Sequence, residues 1–352
     1  MSLIRRFDLQ APIVQAPMAG VSTPLLAASV SEAGGLGSIA VGATNATGAR
    51  AMIEEVRSRT ERAFNVNLFV HQTPQPDADR EAAWLKLLAP SFNEFGAEPP
   101  RTLRVIYRSF ADDPDMLTML LDLAPPVVSF HFGLPPSDVL GALRARGICL
   151  LATATNLDEA RAIKAAGLDA VVAQGIEAGG HRGVFDLSAP DDALGTMVLT
   201  RLLAREAGLP VIAAGGIMDG HGIAAALDLG AEAAQLGTAF IACPESAADD
   251  GYRMALKGGG ACHTVLTTLF SGRPARAIAN RFTALGSQID ERSAPDYPIA
   301  YDAGKALNAA AKAKGEFGFG AQWAGQGAPL ARTMPAASLI EVLRSELRQA
   351  RG

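Results

Sequence analysis

The sequence predicts an α/β protein, a TIM (β/α)8 barrel with a smaller helical lobe. Short apolar runs recur eight times along the 352 residues, and Ala-rich segments with helical spacing separate most of them. Continuous apolar character, rather than alternation, is typical of strands buried on both faces. Strand, helix and glycine repeated around eight strands indicate a closed parallel barrel. An open doubly wound sheet stays the alternative, because strand count alone does not exclude it.

The predicted elements follow one another in a regular order. The strands cover residues 12–16, 36–41, 63–68, 127–131, 148–153, 170–174, 211–214 and 233–236. The helical segments cover residues 24–33, 46–60, 136–146, 157–166, 194–207 and 222–229. Glycine readily adopts the left-handed conformation that ends a helix. Glycines that stand just before the next strand are Gly34 with Gly35, Gly147, Gly167, Gly208 and Gly230.

Two stretches interrupt this order and suggest how the chain is divided. Residues 71–126 are too long for a normal connection, and an extra strand at 104–110 is one interpretation of them. We expect residues 1–243 to form the barrel and residues 322–352, which end in a helix, to pack back on it. Residues 244–321 are expected to form the smaller helical lobe on the substrate side.

Composition and charge exclude several classes of function. The net charge is −5 and aromatic residues make up 6% of the chain, which argues against nucleic acid as a partner. The three cysteines lack CxxC spacing, and no His, Cys or carboxylate cluster has the spacing of metal ligands. No apolar run approaches the roughly 20 residues of a membrane span, and no signal peptide is recognisable. We therefore expect a cytoplasmic protein with no metal and no membrane partner.

Polar and glycine-rich residues follow the predicted strands, at what would be one rim of the barrel. Active sites of such barrels lie at the carboxyl ends of the strands. The residues concerned are 15–20, 65–69, 129–133, 174–183, 214–220 and 235–240.

Two glycine-containing pairs at this rim predict a phosphate site. Gly215-Gly216 and Gly237-Thr238 follow the last two strands, and each precedes a helix, whose N-terminus attracts anions. Phosphate sites in these loops recur in barrels, although tight turns alone would also explain the glycines. Residues 35–40 match a GxGxxA dinucleotide pattern, but they follow a helix and precede a strand, the reverse of the Rossmann order. A mononucleotide such as FMN is therefore the better ligand.

His181 is the candidate for a catalytic residue. It lies in the run Gly179-Gly180-His181-Arg182-Gly183, on a loop at the rim, where flanking glycines let a ligand approach. An imidazole there can act as a base or stabilise an anion, although a lone histidine is often structural. His131, at a neighbouring strand end, is either a second polar group of the site or a packed core histidine.

Several motifs together resemble those of the nitronate monooxygenase family, formerly called 2-nitropropane dioxygenase, in its class I bacterial branch. The resemblance spans nearly the whole chain, and the long glycine-histidine run is its most specific part. The matching segments are residues 15–20, 65–67, 152–155, 169–183, 215–217 and 235–240, then Tyr297, Tyr301, Lys305 and residues 323–327.

The resemblance implies a barrel with non-covalent FMN and His181 as the catalytic residue. Residues implied to contact the flavin are Met18, Asn67, Gln174, Gly179, Gly180, Gly215, Gly216, Gln235, Leu236, Gly237 and Thr238. Residues expected on the substrate side are His131, Tyr297, Tyr301 and Lys305. The spacing of the last three would place them on one face of a helix that closes over the flavin.

The implied reaction oxidises an alkyl nitronate, such as propionate 3-nitronate, with O2 to a carbonyl compound and nitrite through a flavin semiquinone. Lys305 or protonated His181 would help to bind the anion. If neutral nitroalkanes are also used, His181 would first remove the α-proton. Three alternatives stay open: an NAD(P)H:quinone reductase on the same barrel, a non-catalytic flavin-binding protein and, as a weaker option, an IMP- or phosphosugar-binding barrel. The chain is expected to be a monomer or a homodimer.

Overall fold

A closed barrel of eight parallel strands forms the centre of the protein, in a computed structural model that describes residues 3–352. Leu36 forms a parallel bridge with Val14 and so joins the two ends of the sheet, which excludes the open-sheet alternative. Every predicted strand is confirmed within one residue of its predicted bounds. The barrel strands are β1 (Ile13–Gln15), β2 (Gly37–Ala40), β3 (Phe64–Phe69), β4 (Val127–His131), β5 (Cys149–Ala154), β6 (Ala170–Gln174), β8 (Val211–Ala214) and β9 (Ala233–Leu236); β7 (Gly180–His181) belongs to another sheet.

The six predicted helices are present around the barrel, and further helices lie between them. The predicted ones are α2 (Pro24–Glu32), α3 (Ala46–Arg59), α6 (Ser137–Ala145), α7 (Leu157–Ala165), α8 (Thr196–Glu206) and α9 (Gly220–Asp228). The others are α1 (Leu3–Arg6), α4 (Ala78–Glu94), α5 (Pro114–Leu123), α10 (Thr238–Ile241), α11 (Asp250–Lys257), α12 (Arg281–Ala284), α13 (Ile299–Lys312) and α14 (Ala336–Arg351).

Local signals explain where the helices begin and end. The Thr23 hydroxyl accepts a hydrogen bond from the Leu26 N–H at the start of α2, and the Asn156 side chain caps α7 in the same way. The glycines predicted to end helices have positive φ values where the chain turns back to the next strand: Gly34, Gly147, Gly167, Gly208 and Gly230. The first residue of β2 is Gly37, and only glycine fits there because a Cβ would lie 1.9 Å from the Ala27 carbonyl oxygen.

The barrel interior is closed at its amino end and open at its carboxyl end. Apolar side chains from the strands pack with Leu3 and fill the amino end. Above them lies a layer of buried polar side chains: the Gln15 Oε1 accepts from the Ser38 N–H at 2.8 Å, and the Asn65 Nδ2 donates to the Ser129 Oγ at 2.9 Å. The free space of the barrel is therefore confined to the end where the strands terminate.

A second sheet connects the barrel to the remaining chain. β10 (Thr264–Thr267) and β11 (Ala275–Ile278) form an antiparallel pair, and β11 also pairs with β7. The region expected to be helical thus contains two strands that the sequence did not reveal. Since His181 lies on β7, this sheet fixes the loop that carries it.

Residues 71–126 contain two helices, and the extra strand considered for 104–110 is wrong. Residues 104–109 form no regular element and lead into a short 3-10 turn at 110–112. Helix α5 contacts α3 and α6 on the outside of the barrel. Helix α4 instead packs against α13 through Trp84 and Leu88, which are buried with Leu307.

The last helix, α14, packs against α9 and α2. Within residues 3–352, no helix combines the length and the apolarity that crossing a membrane requires.

Candidate functional site

A cavity of about 640 Å³ lies at the carboxyl ends of the barrel strands. This size is within the usual range for sites that bind small molecules and cofactors. All the residues proposed from the sequence line it except Leu236. The Leu236 side chain points away from the cavity, into the apolar layer with Ile13 and Phe240, because successive strand residues face opposite sides.

His181 presents one ring nitrogen to the protein and leaves the other free. Its Nε2 lies 2.9 Å from the Ser271 Oγ, while Nδ1 has no hydrogen-bond partner in the described chain. The Ser271 hydroxyl is itself within 3.2 Å of the Arg273 carbonyl oxygen, to which it can donate. In that arrangement Nε2 carries the proton and Nδ1 is a free acceptor.

The imidazole of His181 is uncharged at neutral pH. Burial, together with smaller contributions from the neighbouring His131 and Arg273, lowers its pKa to about 3. The ring lies among aromatic side chains, with the Tyr297 and Trp323 ring centroids 5.4 and 5.0 Å away. The expectation that protonated His181 helps to bind an anion is therefore not supported.

His131 supports the backbone of His181. Its Nε2 lies 3.1 Å from the His181 carbonyl oxygen, which can only accept, so Nε2 carries the proton. The Nδ1 atom then accepts from the Thr153 hydroxyl at 3.0 Å. Burial lowers the pKa of His131 to about 4, which keeps this tautomer neutral. Both nitrogens are thus engaged within the protein, although the ring lines the cavity.

Gln174 and Arg182 hold the same loop from the other side. The Gln174 Nε2 donates to the His181 carbonyl oxygen at 2.9 Å, and its Oε1 accepts from the Gly183 N–H at 2.8 Å. Arg182 is fully buried, donates to the Gln174 and Gly175 carbonyl oxygens and forms an ion pair with Asp191. Gln174 therefore lines the cavity but uses its amide to position the His181 loop.

All four tyrosines of the chain line the cavity, two of them as predicted. Tyr107 was missed by sequence reasoning and lies edge-on to Tyr301, with ring centroids 5.9 Å apart. The Lys305 Nζ lies 4.9 Å from the Tyr107 ring centroid and 5.3 Å from that of Tyr301. Aromatic faces attract a cation at these distances. This arrangement places the ammonium group of Lys305 at the edge of the cavity.

Tyr297 is not on the helix that carries Tyr301 and Lys305, so the predicted single helix face is wrong for this residue. Helix α13 begins at Ile299. A residue that precedes proline is disfavoured in helical conformation, and Pro298 follows Tyr297. The Tyr297 hydroxyl is nevertheless buried at the cavity and has no hydrogen-bond partner in residues 3–352.

The predicted phosphate loops adopt backbone conformations and close contacts that favour glycine. Gly215 and Gly216 adopt φ values of 131° and 68°, which side-chain-bearing residues avoid. A Cβ on Gly179 would lie 2.5 Å from the Gly325 nitrogen, so the loop at 179–180 is packed tightly against residues 323–327. Gly237 precedes the short helix α10, and the Thr238 hydroxyl accepts from the Gly325 N–H at 3.0 Å.

Two amide side chains at the cavity keep hydrogen-bonding capacity for a ligand. The Gln235 side chain lines the cavity, and no hydrogen bond to it is formed by residues 3–352. The Asn67 Nδ2 donates to the Ser129 hydroxyl at 2.9 Å, but its Oδ1 has no partner in the described chain. Met18 lies at the same wall and is fixed by its N–H bond to the Ser22 hydroxyl.

The charge of the lining is one-sided. No Asp or Glu among the described residues lines the cavity, and Lys305 is the single Lys or Arg that does so. A cavity of this composition disfavours cations and accommodates anions.

Comparison with known proteins agrees with these features. The nitronate monooxygenase family model matches residues 2–346. A nitronate monooxygenase from Paraburkholderia phytofirmans is 62% identical over 99% of this chain and 95% of its own length. A second, from Pseudomonas aeruginosa, is 58% identical over 98% of both chains. The structure of a nitroalkane oxidase from Streptomyces ansochromogenes superposes with a TM-score of 0.88, at 44% identity over 97% of each chain. The chain belongs to the nitronate monooxygenase family of oxidoreductase enzymes.

Proposed function

We propose that the chain is an FMN-dependent nitronate monooxygenase, which oxidises alkyl nitronates such as propionate 3-nitronate with O2 to a carbonyl compound and nitrite. One observation carries the proposal: a neutral histidine with a free Nδ1 lies in a cavity that has a lysine and no carboxylate. Both the phosphate of FMN and the nitronate group are anions, and this lining suits anions. The names of the relatives point to the same substrate class.

The residues of the barrel rim fit a flavin mononucleotide. The backbone N–H groups of Gly215, Gly216 and Gly237 form no hydrogen bond within the described chain, so they are available to a phosphate. Gln235 and Asn67 offer an amide and a carbonyl oxygen that the protein leaves unpaired, as hydrogen-bonding edges of a flavin ring require. When bound, FMN supplies the redox-active isoalloxazine ring.

The substrate side is formed by Lys305, His181 and the tyrosines. Lys305 attracts the nitronate anion, and the unpaired Tyr297 hydroxyl donates a hydrogen bond to it. With a neutral nitroalkane, the His181 Nδ1 removes the α-proton. This step leaves an imidazolium beside a nitronate anion, and the two opposite charges stabilise each other in the buried site.

The same proposal assigns the parts of the chain. Residues 1–243, together with 322–352, hold FMN, and residues 244–321 supply the substrate side through Tyr297, Tyr301 and Lys305. The order of strands around the barrel and the position of these three residues at its open end support the division.

Nitrite release from propionate 3-nitronate in air tests the proposal. His181→Asn should retain FMN and lose at least ten-fold in kcat/KM on a neutral nitroalkane, because the base is gone. The exposed His221→Asn, on α9, is the matched control. An unchanged kcat/KM in His181→Asn would refute the role as base. Anaerobic bleaching of the protein by NAD(P)H without nitrite release from the nitronate would favour the quinone reductase instead.

A further inference from the structure

Arg273 carries a buried charge that forms no ion pair with any acidic residue of the described chain. It lies in the connection between β10 and β11 and is only 3% exposed. Its guanidinium donates to the Val184 carbonyl oxygen, while its Nε has no partner, and it forms no ion pair with any Asp or Glu in residues 3–352. Burying an isolated charge is costly, so proteins normally pair it.

The contrast with Arg182 shows that this chain does pair a neighbouring arginine. Arg182, equally buried, forms a two-pronged ion pair with Asp191 through Nε and Nη2 at 2.7 and 2.9 Å. The charge of the Glu159 carboxylate raises the pKa of Arg273, although burial lowers that pKa by more. That carboxylate is already engaged by the Thr155 N–H and hydroxyl and by the Phe185 N–H.

The unpaired charge lies directly behind the substrate side of the cavity. The guanidinium carbon of Arg273 is 4.1 Å from the ring centroid of Phe132. The Phe132 ring in turn meets the ring of His181 at 5.7 Å and that of Tyr297 at 5.4 Å. Phe132, His181 and Tyr297 all line the cavity, whereas Arg273 does not. One aromatic ring, that of Phe132, therefore lies between the positive charge and the cavity.

We propose that the counter-ion of Arg273 is the anion bound in the cavity, and that this buried charge makes the site select a nitronate over the neutral nitroalkane. The inference rests on the proposed function for the identity of the ligand. Arg273 acts through space, behind Phe132, and does not touch the ligand. Its field adds to that of Lys305, which is exposed and lies beside the rings of Tyr107 and Tyr301.

The effect expected from this geometry is large enough to measure. If the bound anion lies about 8 Å from the Arg273 charge, in an effective dielectric of about 20, their attraction raises the affinity for the anion by a factor of roughly thirty. Burial lowers the pKa values of His181 and His131, and the charge of Arg273 adds to this effect, so both rings stay neutral beside the anion. A hydrophobic replacement of Arg273 should thus weaken the binding of anions and leave the binding of neutral ligands unchanged.

The test compares an anion with a neutral ligand on the purified holoenzyme. Nitrate is a planar anion with the shape of a nitro group, and 2-methyl-2-nitropropane carries a nitro group but has no α-hydrogen, so it stays neutral. Dissociation constants come from the change in the flavin spectrum. Arg273→Met should raise the Kd of nitrate at least ten-fold, and Arg273→Lys, which keeps the charge, less than about three-fold. The Kd of the neutral compound should stay within about two-fold in both.

Other results would overturn the inference. An unchanged nitrate Kd in Arg273→Met would show that the charge is not felt, and an equal loss for both ligands would show a packing role. If Arg273→Met, Arg273→Lys and Arg273→Gln all fail to fold with FMN, the residue serves the fold and the inference is refuted. Nitrite release is measured separately. Charge-dependent nitrate binding without turnover would therefore contradict the proposed function alone.

Discussion

Replacing Asp191 with Asn removes the counter-charge of Arg182, the arginine that braces the His181 loop. The Arg182 side chain is 1% exposed, and that of Asp191 is 27% exposed. Arg182 also donates to the Gln174 and Gly175 carbonyl oxygens. The substitution preserves size and an oxygen acceptor, so the main change is an uncompensated charge in the protein interior.

The magnitude follows from the burial of the pair. Breaking a buried ion pair by removing one partner costs about 3–5 kcal/mol. Since Asp191 is partly exposed, we take the lower end and expect the free energy of unfolding to fall by about 3 kcal/mol. The pKa of Asp191 is held below its usual range chiefly by the hydrogen bonds from Arg182. The carboxylate therefore stabilises the fold above the unfolded pKa of about 3.9, and this contribution is lost as pH falls through the lower folded value.

Urea unfolding at pH 7 and at successively lower pH values measures both effects. Asp186→Asn is the control, because Asp186 lies in the same loop but is exposed and bonds only to Ser188 among side chains. We expect this control to stay within about 0.5 kcal/mol of the parent protein. Equal stabilities for Asp191→Asn and Asp186→Asn at pH 7, with equal slopes against urea concentration, would refute the bracing role of the pair.

Three further predictions concern the cavity and its supports. Tyr107→Leu removes one aromatic face from Lys305, worth about 1 kcal/mol, and should raise the KM for a nitronate about five-fold with little change in kcat; an unchanged KM would contradict this role. Gly215→Ala should weaken FMN binding at least ten-fold in equilibrium dialysis, because a φ of 131° is strained for alanine and the added Cβ would lie 2.5 Å from the Thr196 hydroxyl. Gly141→Ala is the control: Gly141 lies in a helix with open space around it, so this substitution should raise the melting temperature. His131 has a folded pKa of about 4 against about 6.5 unfolded, so its neutral ring stabilises the fold fully above pH 6.5 and progressively less as pH falls towards 4; His131→Gln should reduce the loss of melting temperature between pH 7 and 5, and an identical loss would contradict the assignment.

The barrel was predictable because its strands are buried on both faces. Runs such as Val211–Ala214 and Ala170–Gln174 show no alternation of apolar and polar residues, and both were located without error. Glycines with positive φ, Gly147 and Gly167 for example, marked the helix ends because no other residue takes that conformation as readily. Both signals depend only on neighbouring residues, so they can be recognised from the sequence alone.

The second sheet could not be found in the same way. Strand β7 has two residues, too few for any periodicity, and it exists because β11 pairs with it from about a hundred residues away. Residues 104–110 carry Val105 and Ile106 in an apparent strand pattern, but no neighbouring strand pairs with them, and they form coil beside α13 instead. Whether a short segment forms a strand depends on its pairing with another strand, and that pairing is set by the tertiary fold.

The cavity lining was predictable where a residue type is rare and its position is at a strand end. His181, one of five histidines, met both conditions, whereas the two glycine pairs were marked by their position at strand ends alone. Tyr107 carried one signal that was not used: the chain has only four tyrosines. Ser271 and Arg273 carried none, since their importance comes from contacts with His181 and Phe132, which lie far away in sequence.

The central claim is that this carboxylate-free cavity holds a flavin beside a neutral imidazole. The most direct test is the visible spectrum of the purified protein, recorded anaerobically before and after addition of propionate 3-nitronate. The account predicts the absorption of oxidised FMN at one equivalent per chain, partial bleaching on addition of the nitronate, and stoichiometric nitrite once air is admitted. A colourless protein that gains no flavin when incubated with FMN, or a flavin spectrum that the nitronate leaves unchanged, would contradict it.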